Sequence, residues 1–123
     1  MRVFVTRTFR RFQRREQIDD AALVEAVERI AKGLIDADLG GGLIKQCVAR
    51  PGQGRSRGFR TIIAYRSSNR AVFLFGFAKS ALANLPPREL STLRIIGPRV
   101  LQATEAQLAE AVLAGELMEI END

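Results

Sequence analysis

The chain has 123 residues, 46% of them hydrophobic and 27% charged, which fits one folded domain over 1–123 and is too short for two. Nineteen Lys and Arg stand against 14 Asp and Glu, with no histidine and one cysteine, Cys47, so an internal disulfide, histidine-based triads and histidine metal sites are excluded. No apolar run has the length of a membrane span, and the first fifteen residues lack the apolar core of a signal peptide, so a cytoplasmic protein without a membrane partner is expected.

In chain order, Arg2–Thr6 is short and rich in β-formers, as an edge strand would be. From Arg7 to Gln17, Phe9 and Phe12 form a narrow apolar stripe on a helix that also carries Arg7, Arg10, Arg11, Arg14 and Arg15. Asp19 and Asp20 suit an N-cap and first turn, and Leu23, Val27, Ile30 and Leu34 follow at helical spacing. The segment from Asp36 to Gly42 reads as a loop with a tight glycine turn, and Leu43–Arg50 as a strand.

A basic hairpin follows, in which Arg50, Arg55, Arg57 and Arg60 are set among Gly52, Gly54 and Gly58. Glycine permits close backbone approach and arginine offers a planar fork of donors, a composition suited to phosphate; its alternative is a solvated turn. Phe59–Arg66 reads as the second strand, with Arg60 and Arg66 on one face and Tyr65 on the other. Ala71–Phe77 is apolar at nearly every position, as a central strand covered on both faces would be. Pro86-Pro87 opens a helix that Gly97-Pro98 is expected to break or kink, and Thr104-Glu-Ala-Gln107 is a capping box starting a last helix that should stop at Gly115. Leu117–Glu121 remains as a short strand or frayed tail.

Charge is divided along the chain. Every basic residue lies at or before Arg99, whereas six acidic residues fall between Glu105 and Asp123, giving a body of +11 and a tail of −6. A basic working surface is expected, with residues 104–123 forming an acidic helix and tail that caps it, faces away or meets a basic partner. Asp36-x-Asp38 lacks the other ligands of a calcium loop, and Gly40–Gly42 lack the ending of a phosphate loop, so neither metal nor cofactor is expected. Cys47 lies in an apolar strand and is expected to be a small buried residue. What remains is a set of cations at strands or their ends: Lys45, Arg50, Arg55, Arg57, Arg60, Arg66 and Lys79. Such a set can do phosphoryl chemistry by orienting a phosphate and stabilising developing charge, and RNA supplies its own 2′-hydroxyl nucleophile.

The blocks Asp36-Ala-Asp-Leu-Gly-Gly-Gly-Leu-Ile-Lys45, Val48-Ala-Arg-Pro-Gly-Gln-Gly54, Gly58-Phe-Arg-Thr61 and Phe75-Gly-Phe-Ala-Lys79 resemble the RelE/ParE superfamily of type II toxins, in particular a HigB-like branch. The resemblance implies an α+β, RelE-like fold: a small, mainly antiparallel sheet with two N-terminal helices on one side, C-terminal helices, and a basic cleft on the other side. It implies an antitoxin partner, usually DNA-binding, and a ribosome-dependent messenger-RNA endoribonuclease. By position, Arg60 would stabilise the phosphate in the transition state and Lys45 would lie near the 2′-hydroxyl, while Arg50, Arg55, Arg57, Arg66 and Lys79 would bind RNA. Lys45 can take a proton only as a free amine, a state that neighbouring cations favour.

The chain departs from that branch at Gln46 and Cys47, where basic residues are usual, and at Ala81 and Leu82, where Glu-Arg is usual; its only tyrosine, Tyr65, is placed within a strand. Two further readings therefore stand beside the nuclease: a non-catalytic toxin poisoning a protein such as DNA gyrase, and an inactive relic that still binds its antitoxin.

Overall fold

The computed structural model describes residues 1–50, 54–67, 69–79 and 84–121, without the side chains of 54–57. One six-stranded sheet organises the chain. Its strands are β1 (Arg2–Thr6), β2 (Ala37–Gly40), β3 (Leu43–Arg50), β4 (Gly54–Arg66), β5 (Arg70–Ala78) and β6 (Leu117–Ile120), in the spatial order β2-β3-β4-β5-β1-β6. All neighbours are antiparallel except β1 and β5, which run parallel. The fold is α+β and consistent with a RelE-like fold.

The helices divide between the two faces. Helices α1 (Arg7–Arg15) and α2 (Asp20–Ala31) cover one, where Phe9, Phe12, Leu23, Val27 and Ile30 pack on Val3, Val5, Ile63 and Phe73. Helices α3 (Pro87–Gln102) and α4 (Glu105–Leu113) lie on the other, where Leu93, Leu101 and Leu108 pack on Phe4, Leu43, Ile62, Ala64 and Val72. Strand alternation sends successive residues to opposite faces, so each central strand feeds both cores. This explains why β1 and β5 read as continuous apolar runs: Val3, Phe4 and Val5 are all fully buried.

Three local expectations change. β1 is not an edge strand, because β6 returns beside it and pairs Val3 with Ile120 and Val5 with Met118. The helix expected to break at Gly97-Pro98 runs through to Gln102. Gly97 packs against the Leu43 side chain so closely that a Cβ would sit 2.7 Å from it, and this tertiary contact holds the proline-bearing turn on the sheet. The segment 37–40 is a strand rather than loop: β2 pairs with β3 across Gly40, Gly41 and Gly42, all at positive φ, where a side chain would be strained.

The capping box is present, with Thr104 Oγ1 accepting from Gln107 N at 3.1 Å and Gln107 Oε1 accepting from Thr104 N at 2.9 Å. α4 stops before Gly115, whose φ is +75°.

Candidate functional site

α3 packs on part of its face, over Leu43, Ile62, Ala64 and Val72. On that face β3 contributes Leu43, Lys45 and Cys47 in alternation, and β4 contributes Arg60 and Ile62, with Lys45 paired to Ile62 and Cys47 paired to Arg60. Leu43 and Ile62 belong to the core beneath α3, whereas Lys45, Cys47 and Arg60 are half-exposed. β5 completes the surface with Phe75 opposite Ile62 and Phe77 opposite Arg60. The register places Lys45 and Arg60 on adjacent strands as diagonal neighbours on one face, the separation at which long side chains meet.

Close strand contact sets this register. At Gly58, just before Phe59 and Arg60, the carbonyl oxygen of Val48 would lie 2.1 Å from an added Cβ, so only glycine lets the two strands meet there. Arg60 Nη1 donates to Cys47 Sγ across the pair. Burial, together with the hydrogen bond and charge of Asp36, raises the Cys47 thiol above its ordinary pKa against the opposing pull of Arg60 and Arg29. The sulfur is thus a neutral thiol near pH 7, a weak acceptor for Arg60 rather than an activated nucleophile. It is half-exposed beside the cation, not buried as the apolar strand suggested. Burial pushes the Asp36 carboxyl up, but the bond from Cys47 N at 2.6 Å and the charges of Arg29 and Arg60 outweigh it and hold the group below its usual value.

The remaining cations separate into those the fold uses and those it leaves at the surface. Arg70 is buried and donates to the carbonyls of Val100, Leu101 and Ala103, closing the end of α3. Arg29 is buried and donates to Cys47 O and to Glu25. Arg2 pairs with Glu119 and Glu105, and Arg94 donates to Leu39 O. The acids of the C-terminal segment are therefore partly taken up by Arg2 and Arg70. Lys45, Arg60 and Lys79 have no carboxylate at ion-pair distance among the described residues.

The structure gathers some of the expected site residues and disperses others. Lys45 and Arg60 lie together, and the exposed Lys79 follows β5 at the same end of the sheet, just beyond the Phe59–Ala78 pair. Arg50 sits on the opposite face. The register shifts between Val48 and Arg50, and the Arg50 guanidinium lies 4.8 Å from the Phe59 ring centroid and 3.7 Å from Glu16. Arg66 stands at the far end of the β4–β5 hairpin, donating to Asn69 at 3.0 Å. The backbones of Arg55 and Arg57 lie in β4, and their side chains lie outside the described residues.

Gln46 faces α2, where it bonds Ala26 O, Leu34 O and Asp36 N from a fully buried position. A basic residue at 46 would not reach the Lys45–Arg60 face, so this departure removes no cation from it. Ala81 and Leu82 lie outside the described residues. Tyr65 packs against the core beneath α1 and α2. Asp36 and Asp38 spend their carboxylates on the backbone N–H groups of Cys47 and Gly40, and among the described residues no three His, Cys, Asp or Glu side chains converge on a possible metal. Sequence reasoning missed Cys47, Phe75 and Phe77 as parts of this surface, although the two-residue spacing from Lys45 and between the phenylalanines carried the signal.

The fold is an α+β sheet that carries, on the face of α3, a Lys–Arg pair without an ion-pair partner among the described residues, a pairing of donors suited to an anion. The family model described as "RelE toxin of RelE / RelB toxin-antitoxin system" matches residues 1–120. The chain belongs to this family of type II toxins, which implies an antitoxin partner. Comparison with curated proteins and with solved structures gave no match. No helix among the described residues is long and apolar enough to cross a membrane.

Proposed function

We propose that this toxin is a metal-independent endoribonuclease that cuts messenger RNA in the ribosome, and that it belongs to a HigB-like branch of the family. The observation that carries the proposal is the Lys45–Arg60 pair: two neighbouring, half-exposed cations on one sheet face that make no ion pair among the described residues, although Asp36 lies within electrostatic reach of Arg60, in a fold that gives Arg2, Arg29 and Arg70 internal partners.

In the reaction, the 2′-oxygen of one nucleotide bonds to the adjacent phosphorus as the bond from phosphorus to the 5′-oxygen breaks. The 2′-hydroxyl gives up its proton, the 5′-oxygen gains one, and a cyclic phosphate remains. Arg60, held between Cys47 and Phe77, stabilises the charge that develops on the non-bridging oxygens. Lys45 stands beside the 2′-hydroxyl, and Lys79 holds the backbone at the rim. Phe75 and Phe77 give the face an apolar floor that strengthens the local field. Arg55 and Arg57, whose backbones lie in β4, are assigned to binding the same substrate.

A second reading, a non-catalytic toxin that occupies a protein target such as DNA gyrase, is favoured by one observation. Tyr65, the only tyrosine, is packed on the helix-covered side and is not available to donate the leaving-group proton. Purified protein added to translating ribosomes separates the two. Arg60→Gln is expected to cut about 10²–10³-fold more slowly than the parent, the loss typical of one preorganised donor, with its melting temperature retained. A folded Arg60→Gln protein that cuts at the parental rate removes Arg60 from the mechanism, and a parent that cuts nothing removes the nuclease.

A further inference from the structure

We propose that the outer face of α1 is a second RNA contact, a docking surface for the phosphate backbone of a double helix, on the side of the sheet opposite Lys45 and Arg60. Phe9 and Phe12 turn inward onto the sheet. At 3.6 residues per turn this points Arg7, Arg11 and Arg14 directly outward, with Arg15 beside them, and all four are exposed. Arg50 joins their C-terminal end. The Glu16 carboxylate lies 3.4 Å from Arg15 and 3.7 Å from Arg50, and the two guanidiniums stack on Phe12 and Phe59, whose rings meet edge to face.

Helix stability does not account for this arrangement. The sequence places arginines at i,i+3 and i,i+4 throughout the helix, where like charges repel, and puts Arg7 at the positive end of the helix dipole with no acid in the first turn. Arg10 alone turns aside to Asp20. The guanidinium groups of Arg7, Arg11 and Arg14 have no hydrogen-bond or ion-pair partner among the described residues. A local rule broken without internal compensation points to an external counter-charge.

The chemistry of the face narrows the partner. Its exposed residues are arginines and Thr8, with both aromatics buried beneath. It offers no apolar residue to enter a bilayer, no apolar patch for the centre of a protein interface, and no ring on which single-stranded bases could stack. A convex row of guanidiniums spanning about 10 Å suits the closely spaced phosphates of a duplex, read without sequence. The choice of RNA over DNA rests on the nuclease reading of the other face; the duplex-binding surface itself does not.

The test is binding of a fluorescent hairpin RNA to the Arg60→Gln protein, alone and combined with Arg7→Gln/Arg11→Gln/Arg14→Gln, across a salt series. Losing three phosphate contacts is expected to flatten the slope of log affinity against log salt by roughly 2–3. The salt-induced loss between about 50 and 200 mM is then smaller by roughly 16- to 64-fold in the triple variant. That variant should melt no lower than its parent, since it relieves like-charge repulsion. An unchanged slope overturns the proposal, and tenfold tighter binding of a DNA duplex of the same sequence overturns the assignment to RNA. If Arg60→Gln cuts normally, the nuclease reading fails while the slope still decides the role of α1.

Discussion

Arg70 begins β5 and Arg60 lies midway along β4, the facing strand of the same hairpin; Arg70 belongs to the fold and Arg60 to the proposed site, and replacing each by methionine tests that division. Methionine keeps an apolar stem and removes the guanidinium. Arg70 is 3% exposed and donates to Val100 O at 2.8 Å, Ala103 O at 2.9 Å and, more weakly, Leu101 O at 3.3 Å. These are carbonyls from the end of α3, which lack partners within the helix. Two good bonds from a charged donor are worth about 1.5 kcal/mol or more each, and the stranded carbonyls add to the loss. Relief from burying the charge offsets part of this, while the bond to Glu105 adds little because that carboxylate is 71% exposed. Arg70→Met should therefore cost about 2–3 kcal/mol, or roughly 10 °C in melting temperature for a chain of this size. Arg60 donates only to a thiol, so Arg60→Met should stay within about 1 kcal/mol of the parent. Urea and thermal denaturation of both proteins measure the difference. An Arg70→Met protein within about 0.5 kcal/mol of the parent would refute the assignment of Arg70 to the end of α3.

Gly76→Ala should destabilise by about 1–3 kcal/mol, because its Cβ would fall 2.4 Å from Phe12 and 3.0 Å from Phe9, and rings wedged under α1 cannot swing aside; urea midpoints report it. Thr104→Ala removes the capping box and should cost about 1 kcal/mol, read as a lower thermal midpoint. Asp36 has a depressed pKa in the folded protein, so its contribution is present above its unfolded pKa and lost as pH falls through the folded value. Asp36→Asn should lower stability near pH 7 and change little at low pH, where the parent carboxyl is protonated, so that the acid limb of stability against pH flattens; an unaltered acid limb would show that the bond to Cys47 N is not linked to folding.

Much of the fold was legible because it is written in local pattern. Leu43–Arg50 matches β3, and the capping box and Gly115 bound α4 where expected. Features set by distant partners were not visible. β1 looks like an edge until β6 arrives from the other end of the chain, and the Gly97-Pro98 turn persists because Leu43, more than fifty residues earlier, receives it. Aspartate and glycine disfavour strands, so β2 read as loop although its backbone pairs with β3. In the site, alternation put Arg60 and Arg66 on one face of their strand, but the pairing register that makes Lys45 a diagonal neighbour of Arg60 was not visible. Alternation along β3 also sends Arg50, with Val48, to the face of α1 and α2, and Arg66 lies at the turn end of the thirteen-residue β4, away from Arg60. Composition could count arginines but not say which of them, as Arg29 and Arg70 do, hold backbone carbonyls.

The measurement that bears most directly on the central claim is controlled expression of the parent and of Lys45→Ala/Arg60→Ala in cells, with new 5′ ends mapped on messenger RNA. The nuclease account predicts new ends on translated messages with the parent and none with the double variant. Growth arrest by the parent without new ends would contradict it and direct attention to a protein target, and no arrest at all would mark the chain as an antitoxin-binding relic.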